Sequence, residues 1–324
     1  MTDDQQLIEP GAETRNAETR NERREFFRAA LGAAAVTAAG ASALALATSA
    51  SAATIADNDI FVFLVQLDYL AGEYFSYATT GASLPAALLT GQTADTVGAA
   101  TGARQVTFTD PVVAQYANEI TQDLVANITY IRTQLGTDGI RSQPAIDLGT
   151  SATSAFGKLA TAAGIATAGA FDPYASDGNF LLGAFMIEDV IVTAYIGALS
   201  VISDKTLLAA ATGILATHAH HAAVIRALLY AKGATTASLR TSADAISNVR
   251  DLFDGTTDLD QGISPATVGG NLVSNVTPAA ANGSILARSV GNVLNEFYLN
   301  SASVSLGGFF TAGVNGAVKT STAN

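Results

Sequence analysis

The chain of 324 residues contains no cysteine. Disulfide bonds, thiolate metal sites and thiol catalysis are therefore excluded. Charged residues are also scarce, at 14% of the chain, whereas apolar residues make up 49%. This balance is typical of a folded core built from small side chains and not of a disordered chain.

Basic residues are few, since 16 Lys and Arg stand against 28 Asp and Glu, for a formal net charge of −12. No basic patch is available to hold phosphates, so we expect no nucleic-acid partner. No glycine motif has the spacing of a nucleotide site, and no serine lies in a nucleophile elbow. The acidity is expected to keep an exported protein soluble.

The N-terminal residues 1–52 have the pattern of a twin-arginine-type signal peptide. Arg23 and Arg24 precede an Ala/Gly-rich run over residues 29–47, and Ala50–Ala52 form a small-x-small cleavage site. The alternative is a signal anchor that stays in the membrane. Alanine inserts weakly, which favours cleavage. We therefore expect a periplasmic or extracellular protein with no stable membrane insertion after signal cleavage.

The mature chain predicts four long helices, because apolar residues recur at helical spacing. Asp110 and Pro111 provide an N-cap and first turn for the second helix, and Gly136 suits its C-terminal end. The expected helices cover residues 58–78, 110–135, 179–202 and 206–231. Short loops place neighbouring helices antiparallel, and a connection of about forty residues between the second and third is a long crossover.

We expect the mature chain to divide into two regions. We assign residues 53–233 to the four-helix bundle and residues 234–324 to an accessory segment packed on it. Helices are expected near residues 239–253 and 285–300, separated by Gly/Thr/Asn-rich loops. The accessory segment carries no histidine, and its carboxylates follow no interpretable pattern.

All three histidines lie within four positions, at His218, His220 and His221. His218 and His221 share the apolar stripe of the fourth helix at i and i+3, whereas His220 is expected on the exposed flank. The other polar residues on inner stripes are Asp68, Asn127 and Glu188. A carboxylate on an apolar stripe is costly unless it is paired or bound to metal. Because all these residues lie near mid-helix, we expect them to converge at one level of the bundle.

Two nearby carboxylates fall off the inner stripes. Glu73 and Asp189 are therefore expected to be solvated, or paired with Arg132 or Arg226.

Several short stretches resemble the ferritin-like domain family, and more narrowly its exported bacterial branch related to plant desiccation-related proteins. The stretches include Leu67-Asp68-Tyr69-Leu70, Glu188-Asp189-Val190, Thr193-Ala194-Tyr195 and Gly213-Ile214-Leu215-Ala216, and the resemblance covers about residues 57–232 with a tail at 308–316. It implies an all-α fold: a ferritin-like four-helix bundle with a long crossover between helices 2 and 3, plus an irregular or helical C-terminal extension.

A ferritin-like di-metal centre uses one Glu from each of two helices and a Glu-x-x-His pair from each of the other two. The resemblance places Asp68 at the first Glu, retains Glu188, and aligns His221 with a histidine. It also implies that His218 replaces a Glu, and that Leu124 and Asn127 replace the Glu-x-x-His pair of the second helix. Leucine cannot bind a metal, so a degenerate di-metal centre is expected.

Two interpretations of the remaining residues stay open. Glu188, His218 and His221, with Asp68, are candidate ligands for one divalent ion of iron, manganese or zinc. Alternatively no metal binds, and the histidines hydrogen-bond the carboxylates, Asn127 or a buried water. We favour a non-catalytic protein, stress- or desiccation-related or structural in the cell envelope. The alternative is a mononuclear metal-binding protein or metal-dependent oxidoreductase. The abundant small residues also suit assembly into a homo-oligomer.

Overall fold

The structure, a computed structural model, describes residues 55–324 apart from residues 93, 94, 96, 168, 256–258 and 281. The expected signal peptide at residues 1–52 lies outside the described residues. The described chain is mainly helical, with only short strands, so the predicted all-α bundle is confirmed.

The helices are, in chain order, α1 (Asp57–Thr80), α2 (Ala86–Leu89), α3 (Pro111–Gly139), α4 (Ala155–Ala162), α5 (Asp177–Leu199), α6 (Lys205–Lys232), α7 (Ser238–Arg250) and α8 (Val290–Tyr298). The short strands form two pairs: β1 (Ala100–Thr101) runs parallel to β2 (Ile146–Asp147), and β3 (Ala266–Val268) runs antiparallel to β4 (Asn271–Val273).

The four predicted long helices correspond to α1, α3, α5 and α6. Asp110 caps α3 as predicted, because its side chain accepts a hydrogen bond from the Val112 amide. Gly136 has a φ of 64°, which interrupts the regular helix where the sequence predicted its end, and one further turn follows. The helix α5 begins earlier than expected, because the Ser176 hydroxyl caps it.

Contacts at the two ends of the bundle fix the helix directions. At one end the Asp57 carboxylate accepts hydrogen bonds from the Ser203 backbone and hydroxyl, which brings the starts of α1 and α6 together. At the other end Lys232 pairs with Asp110, so the end of α6 meets the start of α3. The helices α1 and α6 therefore run one way, and α3 and α5 the other. The crossover over residues 140–176 runs the length of the bundle and contains β2 and α4.

The four helices differ in how completely they are covered. Every residue of 60–76 in α1 and of 180–195 in α5 is buried, whereas α3 and α6 keep one exposed face. Both α5 and α6 are long and apolar enough to cross a membrane, but the apolar window of α5 is 89% buried and that of α6 only 39%. A helix that is apolar all round belongs in a core, which is where α5 lies.

The C-terminal segment covers α5 through a group of buried charges that we call the arginine cluster. Its members come from α5, α6, α7 and the loops that follow: Asp189, Arg226, Arg250, Asp254, Asp260 and Arg288. Each of these side chains is at most 8% exposed. The expectation that the carboxylates of this segment follow no pattern is therefore wrong in three dimensions.

Arg288 is the most heavily engaged member of the arginine cluster. Its Nε lies 2.6 Å from Asp254 Oδ2, and its Nη2 pairs with Asp260. Glu296 on α8 is 3.8 Å away, but burial raises its pKa well above the ordinary value in spite of the nearby guanidinium. Asp189 pairs with Arg226, which was one of the alternatives that the sequence left open, and also with Arg250.

The structure also corrects the expectation that Glu73 is solvated or paired with an arginine. It is fully buried on α1, and it accepts hydrogen bonds from the Ser83 hydroxyl at 2.6 Å and the Leu84 amide at 3.4 Å. Burial raises its pKa. It is therefore neither solvated nor paired with Arg132, whose guanidinium instead donates to the Tyr69 hydroxyl at 2.6 Å.

Candidate metal centre

The structure brings four of the five predicted polar residues together in the interior of the bundle, all except Asn127. We call Asp68, Glu188, His218 and His221 the histidine cluster; their helices are α1, α5 and α6. His218 lies at its centre with no exposed surface, and its Nδ1 is 2.8 Å from Glu188 Oε2. The opposite ring nitrogen, Nε2, is 3.3 Å from Asp68 Oδ1. That contact has ion-pair distance but not the alignment of a full hydrogen bond.

Asp68 is held in place from a second side. The Tyr195 hydroxyl donates to both carboxylate oxygens of Asp68, at 3.0 and 3.1 Å. The Tyr195 ring also packs on the His218 ring, with centroids 5.1 Å apart. Burial and the adjacent Asp68 carboxylate raise the pKa of Tyr195, so its hydroxyl keeps the proton that it donates. The sequence placed Tyr195 in the core but did not indicate this hydrogen bond.

The electrostatics of the histidine cluster favour a charged imidazole. Burial alone would lower the pKa of His218, because an imidazolium loses its hydration there. The carboxylates of Glu188 and Asp68, one against each ring nitrogen, outweigh that effect and raise the pKa to about 10. With no metal bound, His218 therefore carries a proton on both nitrogens at neutral pH and supplies the positive charge between the two acids.

His221 connects the histidine cluster to the surface. Its Nδ1 is 3.9 Å from Glu188 Oε2, and its Nε2 is 3.2 Å from Asp123 Oδ2 on α3. The Asp123 side chain is 44% exposed, whereas that of His221 is 5% exposed. Asp123 was not predicted from the sequence, because it lies beside the inner stripe of α3 and not on it. Its position next to Leu124 was the only available signal.

The second helix contributes no metal ligand at the predicted positions. Leu124 is fully buried in the apolar core, and Asn127 is buried with its side-chain amide nitrogen unpaired. His220 is exposed, as expected from its position on the flank of α6.

The remaining donors form one group that could hold a cation. Glu188, His218 and His221 each offer one atom within 4.8 Å of the others, which suits a carboxylate–imidazole site for iron, manganese or zinc. Glu188 Oε1 and His221 Nδ1 are buried without hydrogen-bond partners, so both are available as ligands. Asp68 lies across the His218 ring from Glu188 and outside that group.

A surface groove leads to His221. It lies between α3 and α6, has a volume of about 610 Å³, and is lined on its polar side by Glu119, Asp123, His220 and His221. We call it the α3–α6 groove. It is the place where the edge of the histidine cluster approaches solvent.

Comparison with known proteins agrees with this architecture. The family model described as "Ferritin-like domain" matches residues 56–231, which is more than half of the chain and spans α1 to α6. The chain belongs to the ferritin-like domain family.

A curated relative points to one branch of this family. The chain is similar to the desiccation-related protein PCC13-62 of Craterostigma plantagineum, with 34% identity over 128 residues. The match covers 37% of this chain and 40% of the relative, so the chain spans less than half of the relative's length. No solved structure matches the chain.

Proposed function

We propose that this is an exported ferritin-like protein of stress or desiccation tolerance that performs no catalytic turnover. Its di-metal centre has degenerated, and a buried imidazolium between two carboxylates takes the place of the metal charge. The similarity to a desiccation-related plant protein supports the stress role. The signal-like residues 1–52 support a location in the periplasm or outside the cell.

The surroundings of His218 and of Leu124 support the proposal that the di-metal centre has been lost. Both ring nitrogens of His218 face carboxylates, Glu188 on one side and Asp68 on the other. Leu124, which the family resemblance places at a metal-binding Glu, is buried in the core. An imidazole that is protonated at both nitrogens has no lone pair for a metal until it loses a proton. A buried leucine at position 124 also removes a carboxylate that two metals would share.

In this arrangement the histidine cluster has a structural role. His218 links α6 to α5 through Glu188 and to α1 through Asp68, so a single side chain connects three of the four bundle helices. The Tyr195 hydroxyl fixes the Asp68 carboxylate and so limits the positions that the imidazole can take. Buried polar contacts of this kind favour one packing of the helices over others.

A second candidate, binding of one divalent cation, is favoured by the unpaired atoms. Glu188 Oε1 and His221 Nδ1 have no partner although both are buried, and buried polar atoms normally have one. Glu188, His218 and His221 would hold the ion. Such an ion would supply Lewis-acid or redox chemistry. Binding would require His218 to lose one of its two ring protons, so it would release protons and strengthen with pH.

Elemental analysis combined with calorimetry separates the two candidates. Protein purified from cells grown with iron, manganese and zinc is compared with the His218→Ala/His221→Ala variant, with His220→Ala as the matched control. We expect far less than one metal ion per chain in all three proteins, and no heat of binding on titration with Zn²⁺, Mn²⁺ or Fe²⁺. One metal ion per chain that is lost only in the double variant would contradict the proposal and establish the cation site.

The stress role and the location need a separate test in cells. Deleting the gene is expected to lower survival after drying, and both the wild-type chain and the His218→Ala/His221→Ala variant, if it is stably folded, should restore it. Fractionation should place the protein in the periplasm or medium, and Arg23→Lys/Arg24→Lys should retain it inside. Normal survival of the deletion strain, or recovery of the wild-type chain from the cytoplasm, would contradict these parts of the proposal.

A further inference from the structure

A pocket of about 210 Å³ lies where the C-terminal segment covers α5 and α6, beside the arginine cluster. We call it the alanine pocket, because Ala219 and Ala222 of α6 line it. Of the described residues, it shares only Ala223 with the α3–α6 groove, so the two are separate spaces. Its apolar lining comes from both helices and from the loops that follow α7: Val192, Ala219, Ala222, Ala223, Leu259, Val276, Pro278, Ile285 and Leu286.

The short side chains of α6 leave this space open. Protein interiors pack closely, and voids larger than a water molecule are few. An apolar cavity of about 150 Å³ can hold benzene, so the alanine pocket has room for a ring with one small substituent. Leu259 and Thr277 line the pocket and are exposed, which places its mouth at the protein surface.

The charged side chains that line the alanine pocket offer hydrogen-bond acceptors but no free donor. All five N–H groups of Arg226 are engaged, since they donate to Asp189 and to the backbone carbonyls at positions 261, 262, 275 and 276. Asp189 and Asp260 pair with arginines through Oδ2. Within the described chain, the Oδ1 atom of each of these aspartates accepts no hydrogen bond. Two such acceptors beside an apolar wall select a ligand that donates a hydrogen bond.

The charges around the alanine pocket already balance. The arginine cluster joins three guanidinium groups to three aspartates. Burial raises the pKa of the neighbouring Glu296 well above the ordinary value, which favours its neutral form. A charged ligand would lose its hydration in the pocket without meeting a free opposite charge. The pocket therefore favours a neutral ligand.

We propose that the alanine pocket binds a small neutral molecule that carries a hydroxyl group on an apolar body, of the size of a phenol with one ring. The ring lies against Ala219, Ala222 and Leu286, and the hydroxyl donates to the Oδ1 atom of Asp189 or Asp260. This binding does not depend on the histidine cluster or on a metal, because none of the four residues of that cluster lines the pocket.

Calorimetric titration of the wild-type chain with phenol tests the site. Benzene is the matched probe, since it lacks only the hydroxyl. A hydrogen bond to a charged acceptor should make phenol bind at least about 10-fold more tightly than benzene. Benzylammonium and benzoate carry a charge on a similar body, and both should bind more weakly than phenol.

Substitutions that fill the pocket give a second test. Ala219→Leu and Ala222→Leu each place a larger side chain in the space, and Ala227→Leu, at an exposed position of the same helix outside the lining, is the matched control. We expect phenol to bind at least about 10-fold more weakly to both filling variants and unchanged to the control. Urea unfolding curves that overlap with the wild type identify the folded variants, and one folded filling variant is sufficient for the test.

Four results would overturn the proposal. Phenol that gives no heat of binding at any concentration would show that the pocket holds only water. Benzene that binds as tightly as phenol would remove the hydrogen bond to the aspartates. Tighter binding of benzylammonium would show that the site selects cations. Unchanged phenol binding in a folded filling variant would place the phenol elsewhere on the protein.

Discussion

The bundle contains two groups of buried charges that are built from different cations. The histidine cluster places one imidazole between the carboxylates of Asp68 and Glu188, whereas the arginine cluster joins three guanidinium groups to three aspartates. An imidazole titrates near neutral pH and binds metals, but a guanidinium does neither. The first cluster can therefore lose its positive charge as the pH rises, whereas the second acts as a fixed connection between the bundle and the C-terminal segment.

This difference also reflects where each cluster lies. The histidine cluster lies in the interior of the bundle between α1, α5 and α6, and it keeps groups that ligate metals. The arginine cluster lies on the other side of α5, where the segment after α7 covers the bundle. Asp189 and Glu188 are adjacent in sequence, yet Glu188 points to His218 and Asp189 to Arg226 and Arg250.

The largest loss of unfolding free energy is expected from a substitution in the arginine cluster. Arg288→Gln leaves Asp254 and Asp260 buried with fewer cations, and uncompensated buried charges cost about 3–5 kcal/mol. The free energy of unfolding from urea titration should fall by that amount. Arg104→Gln removes a pair whose arginine side chain is 52% exposed, so it should cost less than about 1 kcal/mol. Equal losses in the two variants would show that the arginine cluster does not stabilise the fold.

A smaller loss is expected from the histidine cluster. His218→Gln keeps a hydrogen-bonding side chain but removes the positive charge between two carboxylates. The retained hydrogen bond offsets part of the lost charge interaction, so the loss should be about 2–3 kcal/mol. The matched change His220→Gln, on the exposed flank of the same helix, should be close to neutral. A neutral or stabilising His218→Gln would show that no charge is held there.

The two clusters should lose their contributions to the free energy of unfolding at opposite ends of the pH range. The pKa of His218 rises from an ordinary 6.5 to about 10, so its contribution is complete below pH 6.5 and is lost as the pH rises towards 10. Burial would raise the pKa of Asp260, but Arg250 and Arg288 lower it overall from 3.8, so its contribution is lost only as the pH falls below that value.

Unfolding of chelator-treated protein across the pH range measures both contributions. One proton changes the free energy of unfolding by at most about 1.4 kcal/mol per pH unit. His218→Gln should remove the alkaline slope alone, and Asp260→Asn the acid slope alone. An alkaline slope that persists in His218→Gln would assign it to another group.

The smallest loss of unfolding free energy is expected from a substitution at the edge of the histidine cluster. Asp123→Ala removes the partner of His221 Nε2, but the Asp123 side chain is 44% exposed, and such pairs contribute less than about 1 kcal/mol. Urea titration should show little change, with Glu119→Ala as a comparable control in the α3–α6 groove. A loss as large as that of His218→Gln would place Asp123 inside the cluster.

The sequence predicted the structural features that follow from the helical periodicity of apolar residues. The four bundle helices appear as apolar repeats, and Asp68, Glu188, His218 and His221 appear as polar residues on those repeats near mid-helix. Because antiparallel helices bring their midpoints to one level, convergence could be expected. The pairing of His218 with a carboxylate at each nitrogen could not, since it depends on rotamers that sequence spacing does not encode.

The arginine cluster was not predictable for a different reason. Arg250, Asp254, Asp260 and Arg288 lie in or beside irregular loops that have no repeat to place them on a face. For Asp189 the sequence left solvation and pairing with Arg132 or Arg226 open, and it gave no sign of the second partner, Arg250. Asp123 was missed on the same ground, because a residue beside a stripe is normally assigned to solvent.

The protonation state of His218 tests the central claim most directly. Nitrogen-15 NMR of the imidazole in chelator-treated protein at neutral pH reports each ring nitrogen separately. We predict that both nitrogens of His218 carry protons and that one equivalent of Zn²⁺ leaves them unchanged. A His218 with one unprotonated nitrogen, or one that loses a proton while His221 shifts on addition of Zn²⁺, would contradict the account and identify a metal site.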